Sequence, residues 1–212
     1  MHAHDAPPRR PEIVLVRHGR SAHAERGWLD ADGVRRWMAA YDAAEIALHH
    51  PPPPALVALA REAGHVVASD LPRAAASARV IAPGVDVQTT ALLREAPLET
   101  PELPLPRLGG VRLPVHGWGL VFGVRWLWAS WRGAPPPGVD ATALARADEA
   151  ASWLTELAAT HGRVVAVTHA TFRSLVTASL RRQGWRGPER RPLREWSAWV
   201  HVRGAEAPPS AV

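Results

Sequence analysis

The stretch Glu12–Arg17, which reads EIVLVR and continues as His18-Gly19, decides the fold. Residues 13–16 form an unbroken aliphatic run, which is typical of a strand buried on both faces of a parallel sheet. An arginine and a histidine end this run. Ligands of open α/β sheets bind at the carboxyl ends of the strands. The stretch therefore predicts a central strand with a ligand crevice at its end.

Strands and helices alternate along the rest of the chain. Short apolar runs predict further strands at residues 65–69, 85–90 and 163–168. Residues 195–202 alternate apolar and polar side chains, as an exposed edge strand does. Helical patterns lie at residues 34–49, 55–63, 71–81, 117–132, 141–160 and 171–183. This alternation predicts a three-layer α/β/α sandwich with a mainly parallel central sheet.

The length of 212 residues suits one domain with a sizeable core. We expect that domain to span residues 12–204, with flexible polar tails at residues 1–11 and 205–212. Residues 96–140 are interrupted by proline and glycine, and we interpret them as an insertion in the domain.

Composition excludes several chemistries. The absence of cysteine rules out disulfides, a thiolate nucleophile, zinc–cysteine sites and iron–sulfur clusters. All 25 side chains counted as lysine or arginine are arginine, so neither a lysine Schiff base nor a P-loop lysine is available. The net charge of +5 is modest, and it does not indicate a nucleic-acid partner.

Targeting signals are not apparent in the sequence. Residues 1–11 are polar and lack the apolar core of an export signal. No uncharged apolar run reaches the roughly 18 residues that indicate a membrane span. We therefore expect a cytoplasmic protein without a membrane span.

Two histidines occupy the same topological position. His18 follows the first predicted strand, and His169 follows the strand that ends at residue 168. A single histidine at such a place is often a packing residue, but two at neighbouring strand ends would project into one crevice. Arg17 precedes His18, and Arg73 lies in the first turn of a predicted helix. Guanidinium forks and a helix N-terminus are suited to binding phosphoryl oxygens.

Three motifs resemble those of the histidine phosphatase superfamily, in the branch that includes phosphoglycerate mutases. They are Leu15-Val16-Arg17-His18-Gly19, Ser69-Asp70-Leu71-Pro72-Arg73-Ala74 and Val164-Val165-Ala166-Val167-Thr168-His169. They occur in the family's order, each at a strand end, and the resemblance covers residues 12–180. It implies a phosphoglycerate mutase-like fold and a phosphoryl-transfer enzyme that needs neither cofactor nor metal.

The resemblance also implies a role for each residue in these motifs. His18 would be the nucleophile and would form a phosphohistidine intermediate that water hydrolyses. Arg17, Arg73 and His169 would neutralise the charge on the phosphoryl oxygens.

The family usually draws the leaving group's proton from a carboxyl group between the second arginine and the second histidine. Glu95 is the best match, because it closely follows the third predicted strand. Glu99 and Glu102 compete with it for this role. Glu95 could instead pair with a neighbouring arginine on the surface.

Some positions depart from the family pattern. Many members have an acidic residue and an asparagine where this chain has Arg20 and Ala24. Arg20, Ser21 or His23 could replace the missing phosphate donor, and of these we select Ser21. The glycine pair after the second histidine is Ala170-Thr171, and the glutamate–glycine context of the mutases is absent. A general phosphomonoesterase is therefore favoured over a phosphoglycerate mutase.

The sequence does not name the substrate, which could be a phosphorylated small molecule or a phosphoprotein. A different class of function also stays open, namely a non-catalytic domain of the same fold that binds a phosphate ligand or a partner.

Residues 117–132 form an aromatic segment. They could be a lid over the crevice, the face of a homodimer, an interfacial membrane anchor or an ordinary core helix. The large aromatic residues in this segment are Trp118, Phe122, Trp126, Trp128 and Trp131.

Overall fold

The computed structural model describes residues 10–23, 26–97, 112–132 and 139–204, through which strands and helices alternate. The first half contains β1 (Glu12–Arg17), β2 (Trp28–Leu29), α1 (Ala31–Ala43), α2 (Pro54–Arg61), β3 (His65–Ser69), α3 (Pro72–Ile81), β4 (Gln88–Thr90) and a 3₁₀ turn (Ala91–Leu93). The second half contains β5 (Leu113–Pro114), α4 (Val115–Trp131), α5 (Ala141–His161), β6 (Arg163–Thr168), α6 (Ala170–Arg182), β7 (Trp185–Arg186) and β8 (Ala198–Arg203).

The central sheet has the strand order β4-β3-β6-β1-β8-β7. The pairs β4–β3, β3–β6 and β6–β1 are parallel, whereas β8 runs antiparallel to both β1 and β7. β1 is thus an interior strand, which explains why its four aliphatic residues are consecutive. A separate small sheet pairs β2 with β5.

Helices cover both faces of the central sheet. Val14 and Val16 pack in one core with residues of α2 and α3. Ile13 and Leu15 point to the other face and pack with α5 and α6. The predicted three-layer α/β/α sandwich with a mainly parallel sheet is confirmed.

The predicted exposed edge strand at residues 195–202 is wrong. β8 begins at Ala198 and lies between β1 and β7, so that β7 forms this edge of the sheet. The polar position that suggested solvent exposure is His201, which is buried. Its ring bonds the Thr177 hydroxyl and the Trp199 carbonyl, so the core accommodates a polar side chain here.

Helix α1 differs from its predicted bounds at both ends. The Asp30 carboxylate accepts the N–H of Gly33, and this cap begins the helix at Ala31. The helix ends at Ala43, because the chain then becomes extended and Ile46 forms an antiparallel bridge with Ser21.

Parts of the predicted tails and of the predicted insertion lie outside the described residues. These are residues 1–9, 98–111, 133–138 and 205–212, together with residues 24–25. Within the described ranges, no helix is long and apolar enough to cross a membrane.

Candidate active site

The strand register brings the two histidines together. Arg17 of β1 is paired with Thr168 of β6, so the next residue of each strand leaves the sheet at the same level. The rings of His18 and His169 lie 5.0 Å apart, centroid to centroid, and both are buried. The structure thus places both histidines side by side at the carboxyl ends of the parallel strands.

The contacts of His18 fix the position of its ring proton. Nδ1 lies 2.7 Å from the carbonyl oxygen of Gly19, which can only accept, so Nδ1 donates. Nε2 lies 3.3 Å from Nε of Arg73, which can only donate, so Nε2 carries the lone pair. A lone pair on a neutral imidazole nitrogen can act as a nucleophile.

His18 is held in its neutral form. Burial, together with the positive charges of Arg73 and Arg17, lowers its pKa to about 3, against the raising effect of the Gly19 hydrogen bond. A neutral imidazole is the form that can attack phosphorus.

Gly19 allows a close approach that no side chain would permit. A Cβ atom there would lie 2.2 Å from Cζ2 of Trp196. The Gly19 N–H donates to the Ser77 hydroxyl at 2.8 Å, and that hydroxyl donates to the Arg73 carbonyl at 2.6 Å. The turn after β1 is therefore fastened to the first part of α3.

Arg73 is fully buried, and the end of α1 holds its guanidinium. Nη1 donates to the Tyr41 carbonyl at 3.0 Å, and Nη2 lies 3.0 Å from the Asp42 carboxylate. The Tyr41 ring lies beneath the guanidinium, 4.4 Å from Cζ to the centroid. Tyr41 and Asp42 were not predicted from the sequence, although Tyr41 is the chain's one tyrosine.

His169 has one engaged and one unengaged ring nitrogen. Nε2 lies 3.0 Å from the Ser69 hydroxyl at the end of β3. Nδ1 is buried and has no hydrogen-bond partner among the described residues. Burial lowers the pKa of His169 well below its ordinary value, and the charges of Arg73 and Arg17 add to this effect.

Arg17 points toward the loop that precedes β8. Its Nη1 donates to the Leu193 carbonyl, and its Nη2 lies 4.0 Å from the Glu195 carboxylate. Its Nε is buried and has no partner in the described part of the chain.

A second buried arginine supports the same loop, and the sequence did not predict it. Arg173 donates to the Ser197 and Pro192 carbonyls, at 2.7 Å each, and lies over the Trp199 ring. No carboxylate of the described residues forms an ion pair with it. Burial and the charge of Arg17 lower its pKa to about 9. Its position four residues after His169, on the same face of α6, was the available signal.

Glu95 lies at the N-terminus of α6. Its carboxylate accepts the N–H of Phe172 at 2.8 Å, of Ala96 at 3.0 Å and of Thr171 at 3.3 Å. Burial raises the pKa of Glu95, while these backbone hydrogen bonds and the charge of Arg73 lower it in part. Its role as an acid stays a prediction, and Glu99 and Glu102 lie outside the described residues.

Ser21 lies in the turn after Gly19. Its hydroxyl accepts the N–H of His23 at 3.2 Å. It lines a surface cavity of about 770 Å³ with Arg20 and His49, among other residues. The hydrogen bonds that the structure describes do not join Ser21 to His18 or Arg73, so its phosphate-binding role also stays a prediction. In the described ranges, no three His, Asp or Glu side chains cluster closely enough to hold a metal ion.

The sequence and the fold were compared with those of known proteins. No protein-family model and no curated protein matches the chain. Among solved structures, it is similar to a mycobacterial glucosyl-3-phosphoglycerate phosphatase, with 19% identity, 93% of this chain and 100% of that chain covered, and a TM-score of 0.51.

Two further structures are more distant. One is a phosphoserine phosphatase variant from Entamoeba histolytica, with 15% identity, coverage of 81% of this chain and 80% of that chain, and a TM-score of 0.48. The other is the alpha-ribazole phosphatase from Shigella flexneri, with 18% identity, coverage of 80% and 79%, and a TM-score of 0.45. The structural match to the mycobacterial phosphatase shows that this chain shares its fold, in agreement with the fold that the motifs predict.

Proposed function

We propose that this protein is a phosphatase that hydrolyses phosphate monoesters through a phosphohistidine intermediate on His18. The observation that carries the proposal is the geometry of that imidazole. Its Nδ1 proton is held by the Gly19 carbonyl, and its Nε2 lone pair faces Arg73. A buried, neutral imidazole with a fixed tautomer beside a guanidinium is suited to nucleophilic attack on a phosphoryl group.

In the first step, Nε2 attacks phosphorus in line with the leaving oxygen. The N–P bond forms as the O–P bond breaks, and the leaving alkoxide takes a proton from Glu95. Arg73 must release Nε2 for this attack. Its long 3.3 Å contact with Nε2 supports such a transfer of the guanidinium to the phosphoryl oxygens.

Positive charge around the crevice favours the transferring group. The guanidinium groups of Arg17 and Arg73 and the unengaged Nδ1 of His169 would donate to the phosphoryl oxygens. Preorganised donors of this kind supply the largest part of catalysis in phosphoryl transfer. Arg173 adds a further buried positive charge, which contributes to lowering the pKa of His18.

In the second step, water attacks the phosphohistidine. The Glu95 carboxylate, now unprotonated, takes a proton from that water, the N–P bond breaks, and inorganic phosphate leaves. His18 returns to its neutral form with the lone pair on Nε2. The phosphorylated small molecule named for the mycobacterial neighbour supports a small-molecule phosphate ester as the substrate class.

The test compares turnover of a chromogenic aryl phosphate by the native protein, His18→Asn and His201→Asn. His201 is a matched control because it too is a buried histidine, and it pairs with Ile13 at the far end of β1. Ile13 lies five positions before His18, which corresponds to about 16 Å along the strand.

We expect His18→Asn to lower kcat by on the order of 10⁴-fold or more, as loss of a nucleophile does. The folded His201→Asn variant should keep kcat near the native value. Similar kcat values for His18→Asn and the native protein would contradict the proposal. Phosphate binding without turnover by the native protein would instead favour the non-catalytic ligand-binding domain.

A further inference from the structure

Helix α4 is attached to the domain through one face. Trp118 is buried, and its indole N–H donates to the Leu29 carbonyl at 2.8 Å. At the start of the helix, the Val115 N–H donates to the Gly27 carbonyl at 3.2 Å. These contacts fix which side of α4 faces the protein.

The opposite side of α4 presents apolar side chains to solvent. Its exposed residues are spaced by four, four and three positions, so at 100° per residue they fall within an arc of about 80°. We call them the α4 stripe: Leu120 (70% exposed), Val124 (58%), Trp128 (54%) and Trp131 (83%). A Cβ atom at Gly119 or Gly123, which lie beside the stripe, would also meet nothing within 4 Å.

The charge of the surrounding sequence has one sign. No aspartate or glutamate occurs from residue 103 to residue 139, whereas this span contains Arg107, Arg112, Arg125 and Arg132. The Arg132 guanidinium lies over the Trp128 ring, 3.8 Å from Cζ to the centroid. The α4 stripe is thus an apolar surface within an exclusively cationic segment.

We propose that the α4 stripe docks on the surface of an anionic lipid bilayer, with the helix lying in the plane of the interface. Apolar side chains on one face, flanking arginines and tryptophan indoles are the combination that interfacial helices use. The indole ring is stable at the boundary between headgroups and acyl chains because it has an apolar body and a polar N–H.

Charge complementarity favours this occupant over a second copy of the chain. A symmetric dimer through the α4 stripe would bring two cationic segments together, and neither segment carries a carboxylate to compensate. Anionic headgroups supply the opposite charge, and each arginine near the surface adds to the attraction. The inference does not depend on the proposed phosphatase activity.

The experiment is co-sedimentation of the full chain with vesicles of phosphatidylcholine alone or of phosphatidylcholine mixed with phosphatidylglycerol. The variants are Trp131→Glu, within the stripe, and Leu48→Glu as the matched control. Leu48 is 79% exposed and lies outside the stripe, so the control places the same charge on a comparably exposed apolar residue.

We expect the native protein to bind the anionic vesicles, and high salt to weaken this binding by screening the arginines. Trp131→Glu should lower the partition coefficient by about tenfold or more, and Leu48→Glu should leave it unchanged. Phosphatase turnover in the absence of vesicles should be the same for the native protein and Trp131→Glu.

Absence of binding to the anionic vesicles would overturn the proposal. An equal loss of binding in Trp131→Glu and Leu48→Glu would also overturn it. A native dimer in light scattering that Trp131→Glu dissociates, without vesicle binding, would assign the stripe to a homodimer instead.

Discussion

The ends of β1 and β6 carry the same residue type at the same level of the sheet, yet they hold it differently. His18 is engaged at both ring nitrogens, by the Gly19 carbonyl and by Arg73. His169 is engaged at Nε2 by a hydroxyl, and its Nδ1 has no partner among the described residues. This difference agrees with the proposed roles of the two residues, in which His18 is the nucleophile and His169 is a stabilising donor.

The physical reason is the nature of the partners. A carbonyl can only accept and a guanidinium can only donate, so together they allow one tautomer of His18. The Ser69 hydroxyl can do either, so it leaves the tautomer of His169 free to respond to a ligand. Substitutions around the two imidazoles should therefore have different consequences.

Among the substitutions around the two imidazoles, we expect the largest effect from Arg73, which contacts His18 at the end of β1. Arg73→Met deletes the donor that faces Nε2 of His18 and also one cation of the crevice. We expect kcat for an aryl phosphate to fall by roughly 10³-fold. Arg73→Lys should recover only part of this loss, because an ammonium group cannot reproduce the planar fork. A kcat within tenfold of native for Arg73→Met would contradict the proposed difference between His18 at the end of β1 and His169 at the end of β6.

Substitution of His169 tests its proposed role as a stabilising donor. His169→Asn should lower kcat by about 10²-fold, since one stabilising donor is lost while the nucleophile remains. The measurement is single-turnover kinetics, which should still detect a phosphoenzyme that forms slowly. If this variant is as inactive as His18→Asn, the assignment of the two roles is wrong.

The Glu95→Gln variant tests whether Glu95 acts as a proton donor or only as a cap of helix α6. The amide oxygen can still accept the N–H groups at the start of α6, but the amide cannot deliver the proton. We expect the rate of phosphoenzyme formation to fall by about 10²-fold for alkyl phosphates and only a few-fold for aryl phosphates, whose leaving groups need little protonation.

The pH dependence sharpens the same test. Burial raises the pKa of Glu95, so the protonated acid persists to higher pH than for an exposed glutamate. Native kcat for an alkyl phosphate should decrease as the pH rises through that pKa, and Glu95→Gln should lose this decrease. An unchanged pH profile, together with equal losses in the rate of phosphoenzyme formation for both substrate types, would assign Glu95 to capping alone.

The smallest effect is expected for Arg173, which positions Arg17 through the loop before β8. Arg173→Lys retains the charge but not the set of bonds to Pro192 and Ser197, and we expect kcat to fall about tenfold from displacement of Arg17. Arg191→Lys is the matched control, because Arg191 lies near the same Trp199 ring. Equal kcat values for the two variants would show that the loop does not depend on Arg173.

Strands buried on both faces were the most predictable elements of the fold. The predicted bounds of β1, β3 and β6 agree with the structure, because a short aliphatic run rich in β-branched residues favours a buried strand over a helix. β8 was misjudged because buried His201 mimics the polar position of an exposed strand. Local alternation cannot distinguish a polar residue that faces solvent from one that the core satisfies.

The positions of the candidate site residues were predictable where those residues closely follow the end of a strand. His18, His169 and Arg73 lie where their motifs place them. Tyr41 was missed because it meets Arg73 only after α1 packs beside α3, a contact far apart in sequence. Arg173 was missed because the carbonyls that hold it belong to an irregular loop, for which periodicity gives no signal.

The central claim is that His18 becomes covalently phosphorylated. The most direct measurement is rapid quenching of the native protein with an aryl phosphate that is radiolabelled in its phosphoryl group, under alkaline conditions, followed by peptide mapping. We expect an alkali-stable, acid-labile label on His18, with none on His18→Asn and more on Glu95→Gln, in which hydrolysis of the intermediate is slowed. Full turnover without labelled His18, or label on another residue, would contradict the account.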